Sequence, residues 1–238
     1  MVSYPGWRNK FSMNQLVTST DRRELPSYTI PEACHYLNLA ESTVRYWVTG
    51  KGGEYKLVIV PTSKSTPTLL SFMNLVEVHV LGAMTREYEV KLPKIRSAVD
   101  YLKRKFKSAH PLINHDFATD GLSLFIEHLG KLINVSEDGQ IAIREVLAAA
   151  LKRIEWDNKG LPIKLFPFTH SDIKNSPRII VIQPGLAFGR PVIAGTGIPT
   201  EIIAERYKAG DSVKELAVDY DRQETEIEEA IRCELKAA

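Results

Sequence analysis

The stretch from Gly185 to Thr200 restricts the fold of this chain more than any other. Within it, Gly189-Arg190-Pro191-Val192-Ile193-Ala194-Gly195-Thr196-Gly197-Ile198-Pro199 carries three glycines and a terminal proline. Glycine supplies positive φ and proline fixes φ, so the string reads as two tight turns around one short apolar strand, Pro191 to Ile193. A second strand, Arg178 to Gln183, precedes it and ends at Pro184-Gly185, which completes a β-hairpin. Thr200 then caps a helix containing Ile202, Ile203 and Ala204 that stops at Gly210. Ser212 and Glu215 form a capping box for a second helix, with Leu216 and Ala217 on its apolar face. A third helix starts near Arg222 and buries Ile227, Ala230 and Ile231.

The stretch is no phosphate cradle. It lacks the Lys-Ser/Thr of a P-loop and the spacing of a dinucleotide site. The third helix carries Glu224, Glu226, Glu228 and Glu229, a face that repels phosphate. Dimerisation or a protein contact suits it better than DNA, with Arg190, Ile202, Ile227 and Ile231 as the candidate dimer or partner contacts.

A second helix–turn–helix pattern lies near the N-terminus. Thr29 with Glu32 three residues later is a capping box, and Pro31 is tolerated in a first turn. Asn38 suits the left-handed position between two helices, about 30–37 and 41–49. Ile30, Ala33 and Leu37 can pack on Leu39, Val44 and Trp47, which leaves Ser42, Thr43, Arg45 and Tyr46 facing outward as candidate DNA contacts. Lys51-Gly52-Gly53 breaks the second helix, and Tyr55 to Val60 alternates as a strand. Two longer helices follow, Ser71 to about Glu87 and Pro93 to about Lys107, the latter ending in the basic run Lys103-Arg104-Lys105.

The middle reads as a small α+β connector. Its elements are strands at Leu122 to Ile126 and Lys131 to Val135, a turn at Ser136 to Gly139, a helix from Ile141 to Trp156, and a strand from Leu161 to Phe166. The fold class is therefore mainly α with small β elements. The expected layout is an arm (1–26), a winged helix–turn–helix unit with its following helices (27–110), the connector (111–176) and the C-terminal module (177–238).

Charge is uneven along this layout. Residues 1–110 hold 16 Lys and Arg against 9 Asp and Glu, a balance of +7, whereas residues 171–238 hold 9 against 12, a balance of −3. A basic front is the footprint expected of a polyanion partner. There is no run of about 18 apolar residues for a membrane helix and no signal-peptide pattern at the start. Cys34 and Cys233 stand far apart without a CxxC, which fits a reducing cytoplasm. The histidines form no metal-ligand spacing; His110 and His115, near Asp116, are the only cluster, and it reads as surface loop. No catalytic residue, metal or cofactor is expected.

Two resemblances sharpen these expectations. Residues 28–56, above all Thr43-Val44-Arg45-Tyr46-Trp47, resemble the winged-helix DNA-binding domain of MerR-type regulators, with Gly52-Gly53 and the 55–60 strand as its wing. Where that family usually has a Ser cap, this chain has Ala40. Residues 178–232 are similar to a bacterial family, domain of unknown function 433, on the 189–199 string; the family's usual basic or bulky residue after Gly-Thr is Gly197 here. The two together resemble the larger VapB-type antitoxins of toxin–antitoxin operons. The resemblance implies an antitoxin that neutralises a PIN-domain ribonuclease toxin and, as a cytoplasmic homodimer, represses its own operator DNA. The alternatives are a stand-alone MerR-like DNA-binding transcriptional regulator and a protein-interaction adaptor without DNA binding.

Overall fold

The structure is a computed structural model describing residues 21–53, 56–64, 66–87, 92–113, 117, 121–133, 136–170, 172–173 and 176–235. Local capping signals set its first elements. Thr29 and Glu32 make the reciprocal capping box, with the Thr29 N–H donating to Glu32 Oε2 at 2.8 Å, and so open α1 (Ile30–Leu37). Asn38 closes it in the left-handed region, φ 52°. The Ala40 carbonyl accepts the N–H groups of Thr43 and Val44, which starts α2 (Glu41–Gly53). This helix runs on through Gly52 and Gly53, where the sequence predicts a break. Ahead of α1, β1 (Tyr28–Thr29) pairs antiparallel with β2 (Leu69–Leu70).

The strand expected at 55–60 is not formed over its described part; Tyr55 lies outside the described residues. Val58 and Ile59 both donate to the Trp47 carbonyl, at 2.9 and 3.3 Å. Both side chains are buried. A one-faced strand would bury only one of two neighbours, so this segment instead turns its apolar pair into the core along α2.

α3 (Phe72–Glu87) is the central helix, and every residue from Phe72 to Met84 is buried. Its buried polar groups are satisfied, as burial requires. Asn74 Oδ1 accepts from the Thr62 N–H at 3.0 Å, and Asn74 Nδ2 donates to the Val60 carbonyl at 2.9 Å, pinning the segment after α2. α4 (Leu92–Phe106) buries Ile95, Ala98, Val99 and Leu102, an i, i+3, i+4, i+7 stripe.

The middle of the chain corrects the sequence reading. Residues 122–133 are one helix, α5 (Leu122–Ile133), not two strands; Asn134 and Val135 lie outside the described residues. Leu122, Phe125, Ile126 and Leu129 are its buried face, so the apolar run obeys a helical rather than an alternating period. Ser136 is no turn residue but the N-cap of α6 (Glu137–Leu151), its hydroxyl accepting the Gly139 N–H at 3.3 Å. That helix stops at Leu151, short of Trp156. Residues 154–156 form β3 (Ile154–Trp156), antiparallel to β4 (Pro162–Leu165). α5 and α6 pack on α4 and α3, so a single apolar core runs from Tyr28 to Leu165 and Ile182 across the expected boundary at residue 110.

The C-terminal module has a core of its own, built from Ile180, Ile193, Ile203, Leu216, Ile227 and Ala230. β5 (Ile180–Val181) pairs with β6 (Val192–Ile193). α7 (Thr200–Ala209) closes at Gly210, φ 115°; α8 (Val213–Tyr220) opens on the Ser212–Glu215 capping box and closes at Asp221, φ 51°. α9 (Glu224–Glu234) completes the three-helix unit. Thr200 departs from its expected role as a cap: its hydroxyl faces the Pro191 carbonyl and Glu234 instead. Among the described residues the chain is thus mainly helical with small antiparallel strand pairs. No helix among them is long and apolar enough to cross a membrane.

Candidate nucleic-acid interface and its junction with the C-terminal module

α2 buries Val44, Trp47 and Val48 and so presents its other side outward. On that side Ser42 and Arg45 are exposed, and Thr43 and Tyr46 are half-buried. Arg45 pairs with Glu41 one turn earlier, with both side chains about half exposed. An exposed pair of this kind is weak, so the guanidinium is free to exchange Glu41 for a phosphate or a base edge.

A groove of about 670 Å³ runs beside the same helix, lined by Thr49, Lys56, Lys64, Thr68, Asp100 and Lys103 among others. Lys103 donates to the Val58 carbonyl at 3.2 Å, and Arg96 Nε donates to the Lys56 carbonyl at 2.6 Å. These bonds hold the 56–60 segment as the wall of the groove. Three lysines face one carboxylate, with Lys56 Nζ 3.9 Å from Asp100. The basic run ending α4 therefore divides: Lys103 turns into the groove, while Arg104 and Lys105 stay exposed. The sequence reading missed Lys56 and Lys64, which carry no local pattern.

The two ends of the chain meet. The Tyr28 hydroxyl donates to the Gly189 carbonyl at 3.0 Å, and the His35 ring lies 2.7 Å from Glu234. Glu234 also receives the Thr200 hydroxyl, and Arg190 pairs with Glu201 at 2.5 Å. A cleft of about 340 Å³ between α1 and α7 is lined by His35, Tyr36, Arg190, Thr200, Glu201 and Glu234 among others. Burial, with Glu32 nearby, pushes the Tyr36 phenol above its ordinary range.

Gly189 is the point of closest approach. A Cβ there would lie 2.4 Å from the Tyr28 Oη, and its φ is +80°. The Tyr28 ring is 3% exposed and its hydroxyl is tied to the Gly189 carbonyl, so moving it away would break that bond. Gly189→Ala is expected to lower stability by about 1–3 kcal/mol, from left-handed strain and the clash together. Urea denaturation checks this, and an unchanged midpoint contradicts it.

The acidic third helix is less acidic at its surface than its sequence indicates. Glu229 is buried and contacts His170 at 2.7 Å and Arg232 at 3.4 Å, while Glu226 caps its own helix. Of the four contacts expected for a dimer or partner, Arg190 and Ile202 are exposed, but Ile227 is fully buried in the module's core and Ile231 packs against it. Ile227 is used up by the fold, because a three-helix unit this small needs it at its centre.

His110, read as a surface-loop residue, bridges Glu77 at 2.9 Å and Glu24 at 3.4 Å, its side chain 15% exposed. His115 and Asp116 lie outside the described residues. Among the described residues no three His, Cys, Asp or Glu side chains converge to hold a metal.

Residues 180–232 match the family described as "Protein of unknown function (DUF433)". Over most of its length the chain is similar to two Mycobacterium tuberculosis proteins. It is 24% identical to "Putative antitoxin VapB45" over 234 residues, covering 88% of this chain and 94% of that protein. It is also 24% identical to "Uncharacterized protein Rv2308", covering 90% and 92% respectively. The crystal structure of Rv2018 from the same organism has the same fold, with a TM-score of 0.66 at 22% identity, covering 87% of this chain and 98% of that one.

Proposed function

We propose that this chain is the antitoxin of a type II toxin–antitoxin pair. It neutralises a PIN-domain ribonuclease toxin and, as a cytoplasmic homodimer, binds its own operator DNA through α2 as autorepressor; it carries no catalytic activity. The observation that carries this reading is the similarity along nearly the whole chain to a protein named as an antitoxin. The DNA-binding half is supported by the exposed face of α2 and the lysine groove beside it. Phosphates on such a groove position a helix, and Ser42, Thr43, Arg45 and Tyr46 are the side chains left to read bases. A two-fold dimer matches a palindromic operator.

Co-expression with a PIN-domain ribonuclease from a neighbouring reading frame tests the antitoxin half. The expected result is restored growth and co-purification of both chains. A toxin that still arrests growth and does not co-purify contradicts it, and operator binding without that rescue returns the stand-alone regulator. Absence of any salt-dependent DNA affinity returns the adaptor.

A further inference from the structure

Asp100 is the one acidic residue of α4, whose other charged residues are Lys94, Arg96, Lys103, Arg104 and Lys105. It lines the groove beside α2, and among the described residues no other carboxylate does. Lys56 and Lys64, both exposed, line the same groove, with Lys103 one turn further along α4. Asp100 pairs with Lys56 at 3.9 Å, where the lysine side chain is 80% exposed. A pair this long and this open to water contributes little to stability. The fold therefore gains little from the carboxylate, and the groove loses part of its positive potential to it.

The groove continues the outer face of α2. Ser42, Arg45 and Thr49 recur at helical spacing and so share one side of that helix. The Thr49 hydroxyl donates to the Arg45 carbonyl at 2.8 Å, and Thr49 lines the groove. A duplex laid on this face brings a backbone phosphate to the lysines. A phosphate hydrogen-bonded to Lys56 Nζ lies no more than about 7 Å from the Asp100 carboxylate. That is inside the Debye length of about 8 Å at physiological salt, so their repulsion is not screened away.

We propose that Asp100 is an intramolecular competitor of DNA in this groove. Its carboxylate engages the lysine that a backbone phosphate takes, and so holds down the sequence-independent part of DNA affinity. This rests on the operator binding proposed above and adds to it the residue that limits it. Phosphates carry no sequence information, so the restraint is equal for operator and unrelated DNA. Stable binding then depends on the base contacts of α2 rather than on charge alone.

Fluorescence anisotropy of the full chain over a range of salt tests it. Wild type, Asp100→Asn and Glu137→Gln are each titrated with a duplex from the chain's own promoter and an unrelated duplex of the same length. Asparagine keeps the size and removes the charge; Glu137 is an exposed carboxylate on α6 and controls for net charge. Asp100→Asn should bind both duplexes about three- to tenfold more tightly at low salt, the size of one unit-charge repulsion at that separation in a solvated groove. Its log–log salt slope should steepen by about 0.9, one further phosphate contact. Glu137→Gln should change neither affinity by more than about twofold. In a Lys56→Gln background the gain from Asp100→Asn should shrink, since carboxylate and phosphate no longer compete for that lysine. An Asp100→Asn protein that binds no more tightly than wild type, a gain confined to one duplex, an equal gain in Glu137→Gln, or an undiminished gain without Lys56 overturns the role of Asp100. Each of these leaves operator binding standing as long as the wild type holds its promoter duplex with salt-dependent affinity. A wild type with no salt-dependent affinity for either duplex overturns both.

Discussion

Arg153→Met should lower the stability of the chain by about 3–5 kcal/mol, because it leaves several buried carbonyls without a donor at about 1–3 kcal/mol each. For a chain of this size that is a fall of roughly 6–20 °C in melting temperature. Arg153 is 6% exposed, and its partners are four main-chain carbonyls. Nε donates to Phe166 at 2.8 Å, Nη1 to Ser176 at 2.6 Å, and Nη2 to Pro167 and Pro177 at 2.9 and 2.6 Å. The guanidinium also lies over the Phe168 ring at 5.1 Å, and that ring stacks on His79. Burial, with Arg178 nearby, brings its pKa down to about 10, so it stays charged at neutral pH.

The consequence reaches beyond one side chain. The 166–177 segment leads from β4 into β5, and His170 within it contacts Glu229 of α9. Without Arg153, four acceptors in the segment that attaches the C-terminal module lose their donor. Lysine cannot replace it, because a single ammonium does not match a planar fork of donors. Differential scanning calorimetry checks the prediction. A loss below about 1 kcal/mol, the value of one ordinary hydrogen bond, contradicts it.

His110→Ala should cost about as much, roughly 3–5 kcal/mol near pH 6, because it strands the carboxylate of Glu77. Glu77 is 2% exposed on the central helix. Burial alone would push the His110 imidazole down, but the hydrogen bond and charge of Glu77, with Glu24 adding to both, raise it above its ordinary value. The direction of the pH effect follows. A histidine with a folded pKa above its unfolded value of about 6.5 contributes stability that is fully present below that value. It loses that contribution as pH rises through the folded pKa. Wild-type stability measured by urea unfolding should thus decline from pH 6 towards alkaline pH. In His110→Gln, which keeps a donor but does not titrate there, that part of the decline should vanish. Parallel curves for the two proteins contradict the assignment.

What could be read from the sequence was whatever a few neighbouring residues decide. Thr29–Glu32, Asn38, Gly210 and Ser212–Glu215 mark helix ends by their own side-chain chemistry, and the structure uses each as read. The exposed positions of α2 followed from the same local period. The α5 segment failed because Leu124-Phe125-Ile126 is a short apolar run, and such runs fit a strand or a buried helix equally well. The groove could not be read, since Lys56, Lys64 and Lys103 come from three separate segments. Tyr28 and Gly189 are 161 positions apart, and no local pattern tells either that the other is its neighbour. Arg153 has the composition of a surface residue; only the fold gives it four carbonyls.

The proposed operator binding rests on the outer face of α2. Fluorescence anisotropy with DNA from its own promoter, titrated with wild type and Arg45→Ala over a range of salt, tests it most directly. The logarithm of wild-type affinity is expected to fall linearly with log salt, as counterion release requires. Arg45→Ala should lose about 1–3 kcal/mol, the range for a base or phosphate contact by arginine, with melting temperature unchanged. Equal affinities for the two proteins, or an affinity that ignores salt, would contradict it.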